Sequence, residues 1–296
     1  MYKLKRGDKV AIVAPCGQIG NLEKIRYGLQ YIQSLGFIPI YGKNLLSRYR
    51  YMAGNDKQRA EDINTAFADT DIKAVFCARA AAGGSRILPY LDFELIRRNH
   101  KPFIGFCDNA ALQLALWQKS QLVSYNGMVM TYDFQSENLD SQIKEDLEKL
   151  LNGQIFNIKS GKPLQKGHTS GTLLCSNLSV LTKLCGTPYF PDLKNTILLL
   201  EDVHERIHKI DLMLQQLKQQ PNFTQVKGII FGQFTDCSGD EEDGNLFDCF
   251  RDFLQDTNIP AIYDFNFGHT PSRRVLPTGA QVDINAEKTE LNILGY

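Results

Sequence analysis

Lys101-Pro-Phe-Ile-Gly-Phe-Cys-Asp-Asn-Ala-Ala-Leu-Gln-Leu-Ala-Leu-Trp-Gln118 decides how the chain is read. Phe103 to Phe106 form a short apolar run, as a buried strand would. From Ala111 the pattern turns helical, with Leu112, Ala115 and Leu116 at three- and four-residue spacing. Asp108 and Asn109 stand at the junction, where a helix start wants a side-chain acceptor. Cys107 therefore falls in a sharp turn between strand and helix. Such a turn lifts one side chain clear of the sheet and aims backbone N–H groups at what it attacks, as in a nucleophile elbow. A helix N-terminus also favours thiolate over thiol. The alternative is a small buried thiol filling a tight corner, since free cysteines are among the most buried residues.

Upstream, Lys9–Ala14 reads as a buried strand closed by Pro15. Asn21 can cap a helix to about Leu35, and Gly36 can end it. Strands at Phe37–Tyr41 and Lys73–Cys77 flank a loop over 42–54 and a helix over Asp56–Ala68. Arg79-Ala-Ala-Ala-Gly-Gly-Ser-Arg86 is a small-residue turn. Strands alternating with helices predict a parallel α/β sheet, with ligands at the carboxyl ends of its strands. Cys107 and the 79–85 turn both belong to that edge.

Past residue 152, Gly153, Gly161 and Gly167 suggest a linker or short antiparallel strands. A helix near Asn177–Leu184, a strand at Ile197–Leu200 ending in Glu201-Asp202, and a strand at Lys227–Phe231 follow. A helix carrying Ile207, Ile210, Leu214 and Leu217 lies between the last two. Asp236–Asp243 is an acidic loop, read as solvated with a metal loop as the alternative. A helix over 245–255 and a strand over Ile262–Phe267 lead to Gly268-His269.

The predicted fold class is α/β. An N-terminal, doubly wound, mostly parallel sheet domain spans 1–150. A linker spans 151–168, and a C-terminal α/β domain with mixed strands spans 169–296.

At 296 residues, 43% hydrophobic and 22% charged, the chain can bury a sizeable core. Its formal charge is zero, which gives no argument for nucleic acid or an anionic membrane as partner. No stretch has the length of a membrane span, and the N-terminus has no apolar signal region. Seven scattered cysteines without a C-x-x-C pair read as reduced thiols, so the expected compartment is the cytoplasm.

Glu201 closes a very apolar strand, and His269 follows another. With Cys107 they supply a nucleophile, a base and an orienting carboxylate, each at a strand end. Each alone has a plainer reading: a structural hydrogen bonder for His269, a surface carboxylate for Glu201. The 79–85 turn can aim N–H groups at an oxyanion, or its small residues can simply allow close packing. His204 and His208 stand four apart on an expected helix, a spacing that zinc can use, but no third ligand is evident. No metal is expected.

Several segments, in order, resemble the LD-carboxypeptidase family of serine peptidases, which includes murein tetrapeptide carboxypeptidases and microcin C immunity peptidases. They are Gly7-Asp-Lys-Val-Ala-Ile-Val-Ala-Pro15, Arg79 through Asp92, Ile104 through Leu112, Asn177-Leu-Ser, Gly186-Thr-Pro188, Leu199-Leu-Glu-Asp202, Phe267-Gly-His269 and Leu276-Pro-Thr-Gly279. The resemblance implies a Ser-Glu-His triad, falling here on Cys107, Glu201 and His269. It implies an oxyanion hole from the N–H groups of Asp108 and Ala81, and substrate contacts from Arg79 and Asn177. It implies release of C-terminal D-alanine from a muropeptide, no cofactor, and a homodimer.

The chain departs from the family at the site. Cys107 replaces Ser, and Arg-Ala-Ala-Ala-Gly replaces Arg-Gly-Gly-aromatic-Gly. Cys175-Ser176 replaces a glycine pair, and Ala110 replaces Thr. Alanine resists φ > 0, so a distorted oxyanion turn is expected at Ala80 and Ala81. The alternatives are a weakened or inactive member that still binds muropeptide, and a microcin-immunity-type amidase.

Overall fold

The computed structural model describes residues 2–134 and 140–296. The chain divides into two compact units: Met1–Gln154 with Val275–Thr278, and Ile155–Arg274 with Gly279–Tyr296. In chain order, the strands among the described residues are β1 (Lys9–Val13), β2 (Ile38–Tyr41), β3 (Ile72–Cys77), β4 (Phe103–Gly105), β5 (Ser124–Asn126), β6 (Asn157–Lys159) and β7 (Lys162–Gln165). They continue with β8 (His168–Asn177), β9 (Thr196–Val203), β10 (Gly228–Thr235), β11 (Ala261–Tyr263), β12 (Leu276–Thr278), β13 (Gln281–Asn285) and β14 (Glu290–Gly295).

In the first unit a six-stranded sheet runs β12-β5-β4-β3-β1-β2. The pairs β1–β2, β1–β3, β3–β4 and β4–β5 are parallel, and β12 joins β5 antiparallel. The order reverses between β1 and β3, and such a switch point opens a crevice at the strands' carboxyl ends. The loops after β1, β3 and β4 leave from that edge. Behind β4, the helix Ala110–Ser120 is buried from Ala110 through Leu116, so the elbow rests on a packed support. Gln113 Nε2 donates to the Tyr125 carbonyl at 2.8 Å in that apolar setting, while its Oε1 has no partner among the described residues.

The second unit holds an eight-stranded mixed sheet ordered β6-β14-β13-β8-β9-β10-β11-β7. Its centre, β8 to β11, is parallel and its flanks are antiparallel. β9 is buried over seven consecutive residues, as a strand covered on both faces must be. Leu198, Leu199 and Leu200 are wholly buried there, each worth about 1.5–3 kcal/mol of transfer free energy.

The mixed α/β class holds, with four local differences. Asn21 makes no capping bond, and a 3-10 turn over Leu22–Ile25 starts the first helix instead. Residues 157–165, inside the expected linker, carry β6 and β7, which pair antiparallel with β14 and β11. Residues 276–278, assigned by sequence to the C-terminal half, hydrogen-bond with β5 in the first unit. The strand expected through Phe267 stops at Tyr263, because Asp264 turns left-handed at φ 57°.

Candidate active site

Cys107 follows β4 in a left-handed conformation, φ 58°, and is partly exposed. A β-carbon costs about 1–2 kcal/mol in that region, so the surroundings must hold the turn in place. They do so through the next two side chains. Asp108 Oδ2 accepts the Gly84 N–H at 2.6 Å. Asn109 Nδ2 donates to the Phe106 carbonyl at 3.0 Å and more weakly to the Arg79 carbonyl at 3.4 Å. Asn109 Oδ1 accepts from the buried Cys16 thiol at 3.2 Å. The expectation that Asp108 and Asn109 cap the helix is corrected: neither side chain bonds its first turn, and both lash the elbow to neighbouring loops.

The turn after β3 lies against the loop after β1. Gly17 donates to the Ala80 carbonyl at 2.9 Å, and a β-carbon on Gly17 would stand 2.9 Å from the Ala81 methyl. Ala81 itself adopts φ 70°. The expected distortion is therefore corrected at this position: alanine takes the left-handed conformation at a strain cost. Ala80 shows no positive φ. Arg79 donates from Nη1 to the Gln18 carbonyl at 2.5 Å.

In the second unit Glu201 and His269 meet. Glu201 Oε2 and His269 Nδ1 are 2.8 Å apart. A carboxylate acceptor at Nδ1 places the imidazole proton there and leaves Nε2 with the lone pair. Glu201 is wholly buried, and its other oxygen, Oε1, has no hydrogen-bond partner among the described residues. Burial pushes the Glu201 carboxyl above its usual range, and the His269 bond pulls it partly back. Two glycines let the His269 loop approach. A β-carbon on Gly232 would lie 2.3 Å from the Phe267 carbonyl oxygen. One on Gly268, at φ 141°, would lie 2.8 Å from the Gln233 carbonyl oxygen and 3.2 Å from Glu201 Oε2.

Adjacent carboxylates of one strand serve opposite ends. Asp202 Oδ2 accepts the Ser179 N–H at 2.7 Å, and Oδ1 takes the Ser179 hydroxyl at 3.1 Å. It thereby anchors the short helix Leu178–Thr182. Asn177 ends β8 directly opposite Glu201 in register and is 4% exposed.

Sequence reading missed the Asp108–Gly84 bond and the Asp202–Ser179 anchor, because neither leaves a local pattern. Gly232 did leave one: an isolated glycine inside an apolar strand signals close approach of another backbone. The His204/His208 pair does not form a helical ligand face, because His204 sits in a loop at φ 57° before the helix Ile207–Lys218. His208 faces Asp243 at 3.2 Å. Among the described residues no group of three metal-ligating side chains assembles, and no helix is long and apolar enough to cross a membrane.

The LD-carboxypeptidase N-terminal domain matches residues 10–127, and the LD-carboxypeptidase C-terminal domain matches residues 170–284. The chain belongs to the LD-carboxypeptidase family, a family of peptide hydrolases. It is 32% identical to a probable murein peptide carboxypeptidase of Bacillus subtilis, over 97% of this chain and 92% of that protein. It is 30% identical to a murein tetrapeptide carboxypeptidase of Pseudomonas aeruginosa, over 92% and 91% respectively. Its fold matches the crystal structure of a muramoyltetrapeptide carboxypeptidase from Oxalobacter formigenes. That match has a TM-score of 0.89 at 26% identity, covering 97% of this chain and 99% of that one.

Proposed function

We propose that this protein removes the C-terminal D-alanine from a murein tetrapeptide, with Cys107 as nucleophile, His269 as base and Glu201 as the carboxylate that orients it. The observation that carries the reading is the buried Glu201–His269 bond at 2.8 Å, which leaves Nε2 basic. The left-handed elbow at Cys107 adds to it. His269 takes the thiol proton and the sulfur attacks the scissile carbonyl. The developing oxyanion takes the N–H groups of Asp108 and Ala81. His269 then returns the proton to the departing D-alanine amine. Water, deprotonated by His269, cleaves the thioester that remains. Arg79 and Asn177 contact the peptide, the guanidinium serving a carboxylate of the substrate.

The working compartment in this reading is a reducing cytoplasm, which seven free cysteines suit. The working assembly is a homodimer, tested by sedimentation equilibrium.

The test is D-alanine release from a murein tetrapeptide, read by a coupled D-amino acid oxidase. Release is expected from the unaltered chain and is lost in Cys107→Ala and His269→Ala. Tetrapeptide binding without release would replace the hydrolase by a muropeptide-binding protein, the reading that the strained Ala81 favours.

A further inference from the structure

We propose that Arg59 is the positioning residue of the oxyanion turn, acting through the Gly83–Gly84 peptide on Asp108 beside the nucleophile. The role of that turn rests on the carboxypeptidase reading above.

Arg59 lies on the helix Asp56–Ala68, and its side chain is wholly buried. A buried guanidinium is costly unless its donors are met. Here Nη1 meets backbone and Nη2 a carboxylate, while Nε has no partner among the described residues. Nη1 donates to the Pro15 carbonyl at 2.5 Å and to the Gly83 carbonyl at 2.8 Å. Pro15 belongs to the loop after β1 and Gly83 to the turn after β3, so one planar group ties two strand-end loops together. Nη2 is held by Asp56 Oδ1 at 2.5 Å. Asp56 also takes Arg86 through Nε at 3.0 Å and Nη2 at 2.7 Å, so the carboxylate grips both ends of the motif. The fit requires glycine: at Gly83, φ 126°, a β-carbon would stand 3.2 Å from Nη1.

The Gly83–Gly84 peptide is trans, so its C=O and N–H point in opposite directions. Arg59 holds the C=O end, and Asp108 holds the N–H end at 2.6 Å. The peptide plane is thus pinned on both sides, and Asp108 is the residue after Cys107. A planar fork can fix this orientation, whereas lysine is a point charge on a flexible stem. Without the fork the peptide rotates, the Gly84–Asp108 bond opens, and the Ala81 N–H loses its aim.

The test combines kinetics on tetrapeptide with amide exchange of Gly84 measured by NMR. Arg59→Lys is expected to lower kcat about a hundredfold, as a small misplacement of catalytic groups does. KM should stay within about threefold, because the loss falls on the transition state. Gly84 exchange should rise at least about tenfold, while amides of β1 and β3 keep their protection. Asp56→Asn, at a partly exposed helix start, should show the same pattern more weakly and carries the test where an Arg59 variant does not fold. Unchanged Gly84 exchange in the folded variants overturns the proposal, as does a loss of protection spread evenly over the first sheet. Exchange needs no turnover. A chain that releases no D-alanine would sink the carboxypeptidase reading, while Gly84 still decides the role of Arg59.

Discussion

Glu201 and His269, 68 residues apart in sequence, are joined Oε2 to Nδ1 at 2.8 Å with the carboxylate wholly out of solvent. Such a bond orients an imidazole, and it also sets an ionisable carboxyl where water cannot reach it. The burial that raises the Glu201 carboxyl is therefore a stability cost carried by the site.

The sign of that cost can be measured. A carboxyl whose folded pKa lies above its unfolded value favours folding below the unfolded pKa, and the benefit is lost as pH rises through the folded pKa. Above the unfolded pKa, Glu201 therefore destabilises the fold relative to an uncharged isostere. Glu201→Gln should gain stability over the unaltered chain at neutral pH, with the gain shrinking as pH falls through the carboxylate range. Denaturant melts at both ends of that range check it, and a gap that widens in acid would refute it. Turnover should fall at least about a hundredfold, since the amide no longer stabilises the imidazolium.

Gly268→Ala should separate His269 from Glu201. The new methyl meets the Gln233 carbonyl oxygen at 2.8 Å in a backbone region that side chains avoid. A cost of about 1–3 kcal/mol is expected by thermal melts. Turnover should drop at least about tenfold as the base loses its alignment. A variant with wild-type stability and rate would show that the loop has slack.

The alanine turn makes a paired comparison. Ala81 pays left-handed strain of about 1–2 kcal/mol, against about 0.4–1 kcal/mol that glycine adds to the freedom of the unfolded chain. Ala81→Gly should therefore stabilise by roughly 0.5 kcal/mol. Ala80→Gly relieves nothing and should cost about 0.5–1 kcal/mol. Equal shifts in the two variants would contradict the observed backbone.

Thiol chemistry should single out Cys107. Cys16 and Cys77 are buried, and burial raises both thiols well above the usual value. Burial also lifts Cys185, and it pushes Cys237 up to about 11. Timed iodoacetamide labelling with mass spectrometry should find Cys107 modified first, and His269→Ala should slow that reaction. Earlier labelling of Cys237 would count against an activated nucleophile.

Much of the site was legible in sequence because its signals are local. A short apolar run passing into helical spacing places Cys107 at a turn. Four apolar residues before Glu201, and Gly268 before His269, place both at the ends of apolar stretches. These patterns follow from backbone geometry and burial, which act over a few neighbouring residues. The structure then shows that the Glu201 carboxylate bonds His269, which no local pattern states.

What tertiary structure alone decided is which distant group satisfies each polar atom. Asp108 and Asn109 carry the composition of helix caps, yet their acceptors serve Gly84 and Cys16, 24 and 93 residues away. Ala81 reads as intolerant of φ > 0 and adopts it, because the packed loops around it outweigh about 1–2 kcal/mol of local strain. Leu276–Thr278 falls within the range read as the C-terminal domain, but a strand edge takes whichever unpaired partner the fold brings near, and here that is β5. Periodicity reports which face of an element is buried. The partner across that face is set by close approach of residues far apart in the chain, and only the folded backbone determines it.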